Sequence, residues 1–233
     1  MYRNVSLLSP EIIADIERKI GYTFLDKSHL VVAFTHSTYA KSFNGLASYD
    51  RIEFVGDALV NFIVSIRLFQ EHLDCDEGVL TKAKAYLVSK TRLSNIISEL
   101  DIIKYLITGK GQANTDALNS EKVRSDLFEA ITAAIYFDGR YNNCANFIER
   151  FLGAYIKCDP REHAVTDYKS RLLEIGQKNC KPVAFYDQKV SDGFMVQVAL
   201  DGIIIGEGYG KNKRKAEQDA SKGALQWLNV DTR

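Results

Sequence analysis

Two long apolar stretches of this chain carry acidic side chains at helical spacing, and few folds can accommodate that. The first runs from Tyr49 through Asp50, Arg51, Ile52, Glu53, Phe54, Val55, Gly56 and Asp57 to Val64. The second runs from Ser125 through Asp126, Leu127, Phe128 and Glu129 to Phe137. Both are long enough for helices and apolar nearly all round, the pattern of helices buried on most sides. Glu53 and Asp57 stand four apart, on a face shared with Val60, Val64 and Leu68. Asp126 and Glu129 stand three apart, on a face shared with Ala130, Ala133 and Phe137. Acidic pairs at such spacing are ordinarily solvated or matched to Lys and Arg. Here neither stretch leaves a polar face, and Arg51 is the only cation close in sequence to the first pair. A buried, ionised carboxylate is costly unless it is paired or bound to metal. The expectation is that Glu53, Asp57, Asp126 and Glu129 are buried together around a divalent cation.

The other metal-binding residue types narrow the ion. Cys75, Cys144, Cys158 and Cys180 form no C-x-x-C pair, and His29, His36, His72 and His163 form no ligand pattern. That argues against a zinc site and a disulfide framework and for a reducing cytosol, and points to a hard ion held by oxygen. No apolar run reaches the length of a membrane span, and the N-terminal segment, with Glu11, Asp15, Glu17, Arg18 and Lys19 among apolar residues, reads as an amphipathic helix. A cytoplasmic protein without membrane contact is expected.

The 233 residues divide by pattern. Up to residue 157, apolar positions recur at three and four, over 12–20, 30–34, 52–69, 79–97 and 127–151, so an all-α domain spans 1–157. Asp26-Lys27-Ser28 and Asp76-Glu77-Gly78 read as turns, and Gly109 opens a polar loop reaching about Ser120. Residues 158–166 read as a linker. Over 167–233 the pattern predicts a helix from Asp167, capped by Thr166, to Gly176, then strands at 184–190, 194–200 and 203–208. Ser191-Asp192-Gly193 and Asp201-Gly202 supply the hairpin turns, and a last helix runs from Lys213 to Leu228. That is a complete small α+β domain of order α-β-β-β-α.

Charge is distributed unevenly within a net of zero. Residues 1–157 hold 18 basic and 19 acidic side chains, whereas 167–233 hold 11 and 9, with Lys211, Lys213, Arg214 and Lys215 clustered. Asn212 is a good N-cap, which places Lys213, Arg214 and Lys215 in a first helical turn, where the helix dipole disfavours cations. Helix stability does not explain them; phosphate binding does. Trp227 and Phe185 fall at core-like positions, so no aromatic series is expected at the surface, and duplex recognition by shape fits better than single-strand stacking.

The chain resembles ribonuclease III, the bacterial double-stranded-RNA endonuclease. Asp50 to Leu59 is similar to the family signature around its first acidic helix, Ala33-Phe34-Thr35-His36 to its Ala-Leu-Thr-His segment, Asp76-Glu77-Gly78 to its Asp-Glu-Gly, and Ser125 to Ala130 to its second acidic helix. Lys169 to Glu174 and Gly208 to Gln218 resemble a double-stranded-RNA-binding domain. The resemblance covers nearly the whole chain in the family's order. It implies an all-α nuclease domain followed by the α-β-β-β-α RNA-binding domain. It also implies metal ligation by Glu53, Asp57, Asp126 and Glu129, with Asp57 and Glu129 catalytic, and secondary acidic roles for Asp50 and Glu77. The implied cofactor is Mg²⁺, for which Mn²⁺ can substitute. The implied partners are double-stranded RNA, bound through Lys211, Lys213, Arg214 and Lys215, and a second copy of the chain. The implied reaction leaves 5′-phosphate and 3′-hydroxyl ends with short 3′ overhangs, in the processing of ribosomal and other structured RNA. Asp50 stands where the family usually has Glu, Gln112 where many members have Glu, Leu173 for a common Gln and Asn212 for a common Ser. The turn Ser191-Asp192-Gly193 lacks the longer loop many relatives place in the RNA minor groove. The departures in the RNA-binding domain imply weaker duplex binding, and those at Asp50 and Gln112 motivate an alternative, a duplex-RNA-binding regulator that does not cleave.

Overall fold

The computed structural model describes residues 7–43, 46–109, 118–161 and 168–230. Gln112 with most of its loop, and the cap Thr166 with Asp167, lie outside the described residues. The chain divides into two compact units, Met1–Pro160 and Arg161–Arg233.

The first unit is helical, as its periodicity requires. Helix α1 (Pro10–Ile20) starts on Ser9, whose hydroxyl accepts from the Ile12 amide, and stops at Gly21, which takes φ 75°. Helix α2 (Lys27–Ala33) is capped by the Asp26 carboxylate, and a short α3 spans Ser37–Ala40. Helix α4 (Asp50–Glu71) is the first acidic stretch. The apolar run over 79–97 is two helices, α5 (Glu77–Leu87) and α6 (Lys90–Glu99), because the Ser89 side chain caps a new N-terminus there. Helix α7 (Glu121–Ile156) carries the second acidic stretch, begins on Ser120, and breaks at Arg140, whose φ of 62° and ψ of −170° are not helical.

Helices α4 and α7 pack along each other at the centre, with α2 and α6 against α7 and α5 against α4. Their shared core includes Phe34, Ile63, Leu68, Leu127, Phe128 and Ile131, all fully buried. A side chain of this size contributes about 1.5–3 kcal/mol when fully removed from water. Two polar ties hold the surrounding chain to this pair. Asp138 of α7 accepts from the Tyr22 hydroxyl at 2.7 Å and from the Leu25 and Asp26 amides at 2.8 Å, anchoring the α1–α2 turn. The Phe34-Thr35-His36 segment bonds to Ile107 on one side, and the Thr35 carbonyl accepts from the Tyr49 amide at 2.9 Å, which positions the start of α4. Among the described residues, no helix is long and apolar enough to cross a membrane.

The second unit is helix α8 (Tyr168–Lys178), strands β1 (Val183–Val190), β2 (Gly193–Leu200) and β3 (Ile203–Gly210), and helix α9 (Lys213–Trp227). The sheet is antiparallel in the order β1-β2-β3. Asp201 at φ 53° and Gly202 at φ 80° make the two-residue turn between β2 and β3, the geometry whose twist matches a hairpin. Val196 and Val198 face α9 and are fully buried. Opposite them β3 carries Gly206 and Gly208, and a Cβ at Gly208 would lie 2.0 Å from the Ala220 amide nitrogen, so α9 sits directly on the strand backbone.

The expectation for the aromatic residues of this unit is corrected. Phe185 packs against the core, but Trp227 is 61% exposed, because it ends α9 beyond the last buried position, Leu225. Tyr186 and Tyr209 are also exposed, on the sheet face turned away from the helices.

Candidate active site

The two acidic pairs come from one helix each and meet because α4 and α7 cross without side chains between them. At the crossing stands Gly56, where a Cβ would lie 1.9 Å from the carbonyl oxygen of Glu129. On α4, Glu53 stands nearly one turn before Gly56 and Asp57 directly follows it; across the contact are Asp126 and Glu129. Glu53, Asp126 and Glu129 each place a carboxylate oxygen within 4.8 Å of the other two. Asp50, Glu53, Phe54, Asp57, Lys90, Lys122, Ser125, Asp126 and Glu129 line one open depression.

Burial is less uniform than the pattern predicts. Only Asp126 is buried; Glu53 and Glu129 are half-buried, and Asp57 is exposed. Asp57 stands outside the three-oxygen group, with its Oδ1 accepting from the Asn61 amide side chain at 2.9 Å. The expectation that all four acids are buried is therefore corrected. In the single chain the outer side of α4 is open to solvent, as the exposure of Phe54 and Ala58 beside Asp57 also shows. Asp50 is at the first position of α4, on the rim of the depression. Glu77 is not brought to it. It begins α5, accepts from the Thr81 hydroxyl at 2.8 Å, and lines an apolar hollow with Phe69, His72 and Leu73.

The crowding of like charges shows in the protonation equilibria. Burial first, and then the charges of Asp57, Asp126 and Glu53, push the Glu129 carboxyl up to about 8. Burial and Asp126 likewise raise Glu53. Two cations missed in the sequence reading answer this charge. Lys122, one turn before Asp126 on α7, places its Nζ 2.5 Å from Asp126 Oδ2, and Lys90 lines the same depression. Lys122 was recoverable from its spacing to Asp126; Lys90 comes from a different helix, and no local signal points to it. A set of three convergent carboxylates without His or Cys suits a hard divalent ion that keeps several waters.

In the second unit Lys211, Lys213, Arg214 and Lys215 are all exposed at the start of α9. Asn212 caps that helix, its Oδ1 accepting from the Lys215 amide at 2.9 Å. Lys213 is engaged by Asp187 of β1 at 2.8 Å. Lys169 pairs with Glu217 at 2.7 Å and lies over the Phe185 ring at 4.8 Å, which ties α8 to α9 and β1.

Comparison with known proteins agrees with this architecture. A family model described as ribonuclease-III-like matches residues 26–156, and one for the double-stranded RNA binding motif matches 168–228. Ribonuclease 3 of Clostridium perfringens is 32% identical over 222 residues, covering 93% of this chain and 94% of its own. Ribonuclease 3 of Symbiobacterium thermophilum is 33% identical over 227 residues, covering 95% and 96%. The crystal structure of the nuclease domain of ribonuclease III from Campylobacter jejuni matches with a TM-score of 0.56 at 27% identity, covering 61% of this chain and 95% of its own. Two helices crossing at a glycine to join their acids, a separate α-β-β-β-α unit with a basic helix start, and relatives aligned nearly end to end place this chain in the ribonuclease III family of double-stranded-RNA endoribonucleases.

Proposed function

We propose that the chain is a Mg²⁺-dependent endonuclease that cuts both strands of double-stranded RNA as a homodimer. The products carry 5′-phosphate and 3′-hydroxyl ends with short 3′ overhangs, and its work is the cytoplasmic processing of ribosomal and other structured RNA precursors. The observation that carries the reading is the convergence of Glu53, Asp126 and Glu129 oxygens within 4.8 Å of one another. These three, with Asp57 beside them, hold the ion. Bound Mg²⁺, for which Mn²⁺ substitutes, supplies neutralisation of phosphoryl charge and acidification of a bound water. Glu129 and Asp57 flank the reacting phosphate, and Asp50 acts from the rim. Lys211, Lys213, Arg214 and Lys215 hold the duplex through its phosphates, which orients it without reading sequence. Glu77 takes no part within a single chain.

The dimer is supported by the outer side of α4. Phe54, Phe62 and Phe69, seven and eight residues apart and therefore on one stripe, are 80%, 54% and 64% exposed. An apolar stripe of this kind marks a partner surface. A solved Campylobacter jejuni relative, 28% identical with a TM-score of 0.55, is described by flexibility in a region involved in dimer formation of its nuclease domain. A two-fold dimer gives two acidic clusters, one for each strand.

The test is incubation of the purified full chain with a long RNA duplex, in Mg²⁺ and in EDTA, followed by end analysis and light scattering. Mg²⁺-dependent fragments with phosphorylated 5′ ends, from a particle of twice the chain mass, are expected. Binding without cleavage in Mg²⁺ would establish the non-cleaving regulator instead.

A further inference from the structure

Lys122 stands where helix energetics do not want it. It is the second residue of α7, in the first turn after the Ser120 cap, where the helix dipole is unfavourable to a cation. Its partner Asp126 is four residues later, so the lysine precedes the acid, the weaker of the two orders for a helical ion pair. The pair is nonetheless close, and it is asymmetric: the Lys122 side chain is 61% exposed and that of Asp126 only 7%. The lysine reaches from solvent down to the buried carboxylate. Around that contact, Asp50, Glu53, Asp57, Asp126 and Glu129 face a depression whose cations are Lys122 and Lys90.

We propose that Lys122 is the built-in counter-ion of the acidic cluster, which a divalent ion must displace from Asp126, so that Lys122 sets the ion concentration at which the site loads. This rests on the metal-binding reading of Glu53, Asp126 and Glu129. An ammonium at 2.5 Å from Asp126 Oδ2 sits on a carboxylate that belongs to the convergent set. A doubly charged ion on those oxygens repels it. Because the lysine side chain is mostly exposed, the ammonium can turn out to solvent when an ion takes its place. Lys122 is therefore a positioning residue: it keeps the three carboxylates together when no ion is bound and lowers their affinity for one.

Removing the charge while keeping the stem should tighten ion binding about ten-fold, or about 1.4 kcal/mol. The test is titration of the EDTA-stripped, dialysed full chain with Mn²⁺, bound ion being counted by electron paramagnetic resonance and Mg²⁺ added as competitor. Wild type, Lys122→Met and Lys122→Arg are compared. Lys122→Met should bind Mn²⁺ about ten-fold more tightly, melt lower than wild type in EDTA, and recover in Mg²⁺. Lys122→Arg should keep the wild-type affinity. A Lys122→Met protein with unchanged or weaker Mn²⁺ affinity would overturn the counter-ion role while leaving the metal site standing. Equal loss of melting temperature with and without Mg²⁺ would reduce the pair to helix stabilisation and overturn it too. No bound Mn²⁺ in any of the three proteins would remove the metal reading itself, and the role of Lys122 with it.

Discussion

A single methyl group at Gly56 tests whether the crossing of α4 and α7 builds the site. The Cβ of Gly56→Ala would lie 1.9 Å from the Glu129 carbonyl oxygen and 2.4 Å from its carbonyl carbon. A carbon and a carbonyl oxygen rest at roughly 3.3 Å or more. The helices must therefore separate by about 1.4 Å at the point where Glu53 and Asp57 meet Asp126 and Glu129. The obstruction is backbone on both sides, so no rotamer relieves it, and the cost falls at the upper end of the overpacking range, about 3 kcal/mol. For a unit of this size that lowers the melting temperature by about 6–12 °C. A displacement beyond 1 Å among reacting groups costs on the order of a hundred-fold in rate. Calorimetry of the nuclease unit's transition and cleavage of a long duplex in Mg²⁺ measure the two effects. Gly78→Ala is the control: it is also helical, but its Cβ meets only Asp76 Oδ1 at 3.4 Å, so a gain of up to about 1 kcal/mol is expected from helix propensity. A Gly56→Ala protein that melts within 2 °C of wild type, in the same roughly degree-scale assay, and cleaves at near-normal rate would refute the crossing geometry.

Four further outcomes follow from the same structure. Glu129→Gln keeps the side chain's size and removes its charge, so Mg²⁺-dependent cleavage should fall by orders of magnitude while duplex binding in Ca²⁺ survives; near-normal cleavage would take Glu129 out of the mechanism. Arg140 holds φ 62° inside α7, a conformation that costs a non-glycine residue about 1–3 kcal/mol, so Arg140→Gly should raise the melting temperature by a few degrees, and a lower one would show that the kink is unstrained. Asp138→Ala loses three hydrogen bonds to a charged acceptor and should cost about 2–4 kcal/mol at neutral pH. Burial works against the Asp138 charge, but the Asp26 amide, the Tyr22 hydroxyl and the Leu25 amide outweigh it and hold the carboxyl below its usual range; the lowered group stabilises the fold fully above the ordinary carboxylate range and loses that contribution as pH falls through its native value, so acid titration of stability should show the mutant and wild type converging below about pH 4. Replacing Lys213 and Arg214 together with Ala should flatten the dependence of log K on log[salt] by about 1–2 units, nearer 1 because Asp187 already engages Lys213; an unchanged slope would mean a basic face that does not touch RNA.

Much of this architecture is written locally in the chain. The three-and-four spacing of Ile13, Ile16 and Ile20 marks α1 in the sequence, and Ser9, Asp76 and Asn212 cap helices through amides three residues away. The β2–β3 hairpin rests on Asp201-Gly202, whose left-handed backbone is a property of those two residues. The pairing of Glu53 with Asp57, and of Asp126 with Glu129, along their own helices has the same local origin. Which acids meet across the helices does not. That depends on Gly56 letting two backbones touch, with residues some seventy positions apart in sequence, and it brings Glu53, Asp126 and Glu129 together while leaving Asp57 at the surface and Glu77 in another hollow. The solvent-facing side of α4 was illegible for a related reason. An apolar helix reads as buried, yet only packing decides which of its sides is covered within the chain, and Phe54, Phe62 and Phe69 stay mostly exposed, Phe62 with only the Tyr141 ring edge-on to it at 6.3 Å. Trp227 is exposed because its helix ends beyond the core, and α7 breaks at Arg140, directly after Gly139, within an apolar pattern that otherwise runs on as one helix. Lys122 lies between the two cases: its spacing to Asp126 is local, but the reason for its position is the charge gathered from α4. Hydrogen-bonded turns and periodic faces are set by neighbours in sequence, whereas burial, convergence of charge and the field at a carboxylate are sums over groups that only the folded chain brings near.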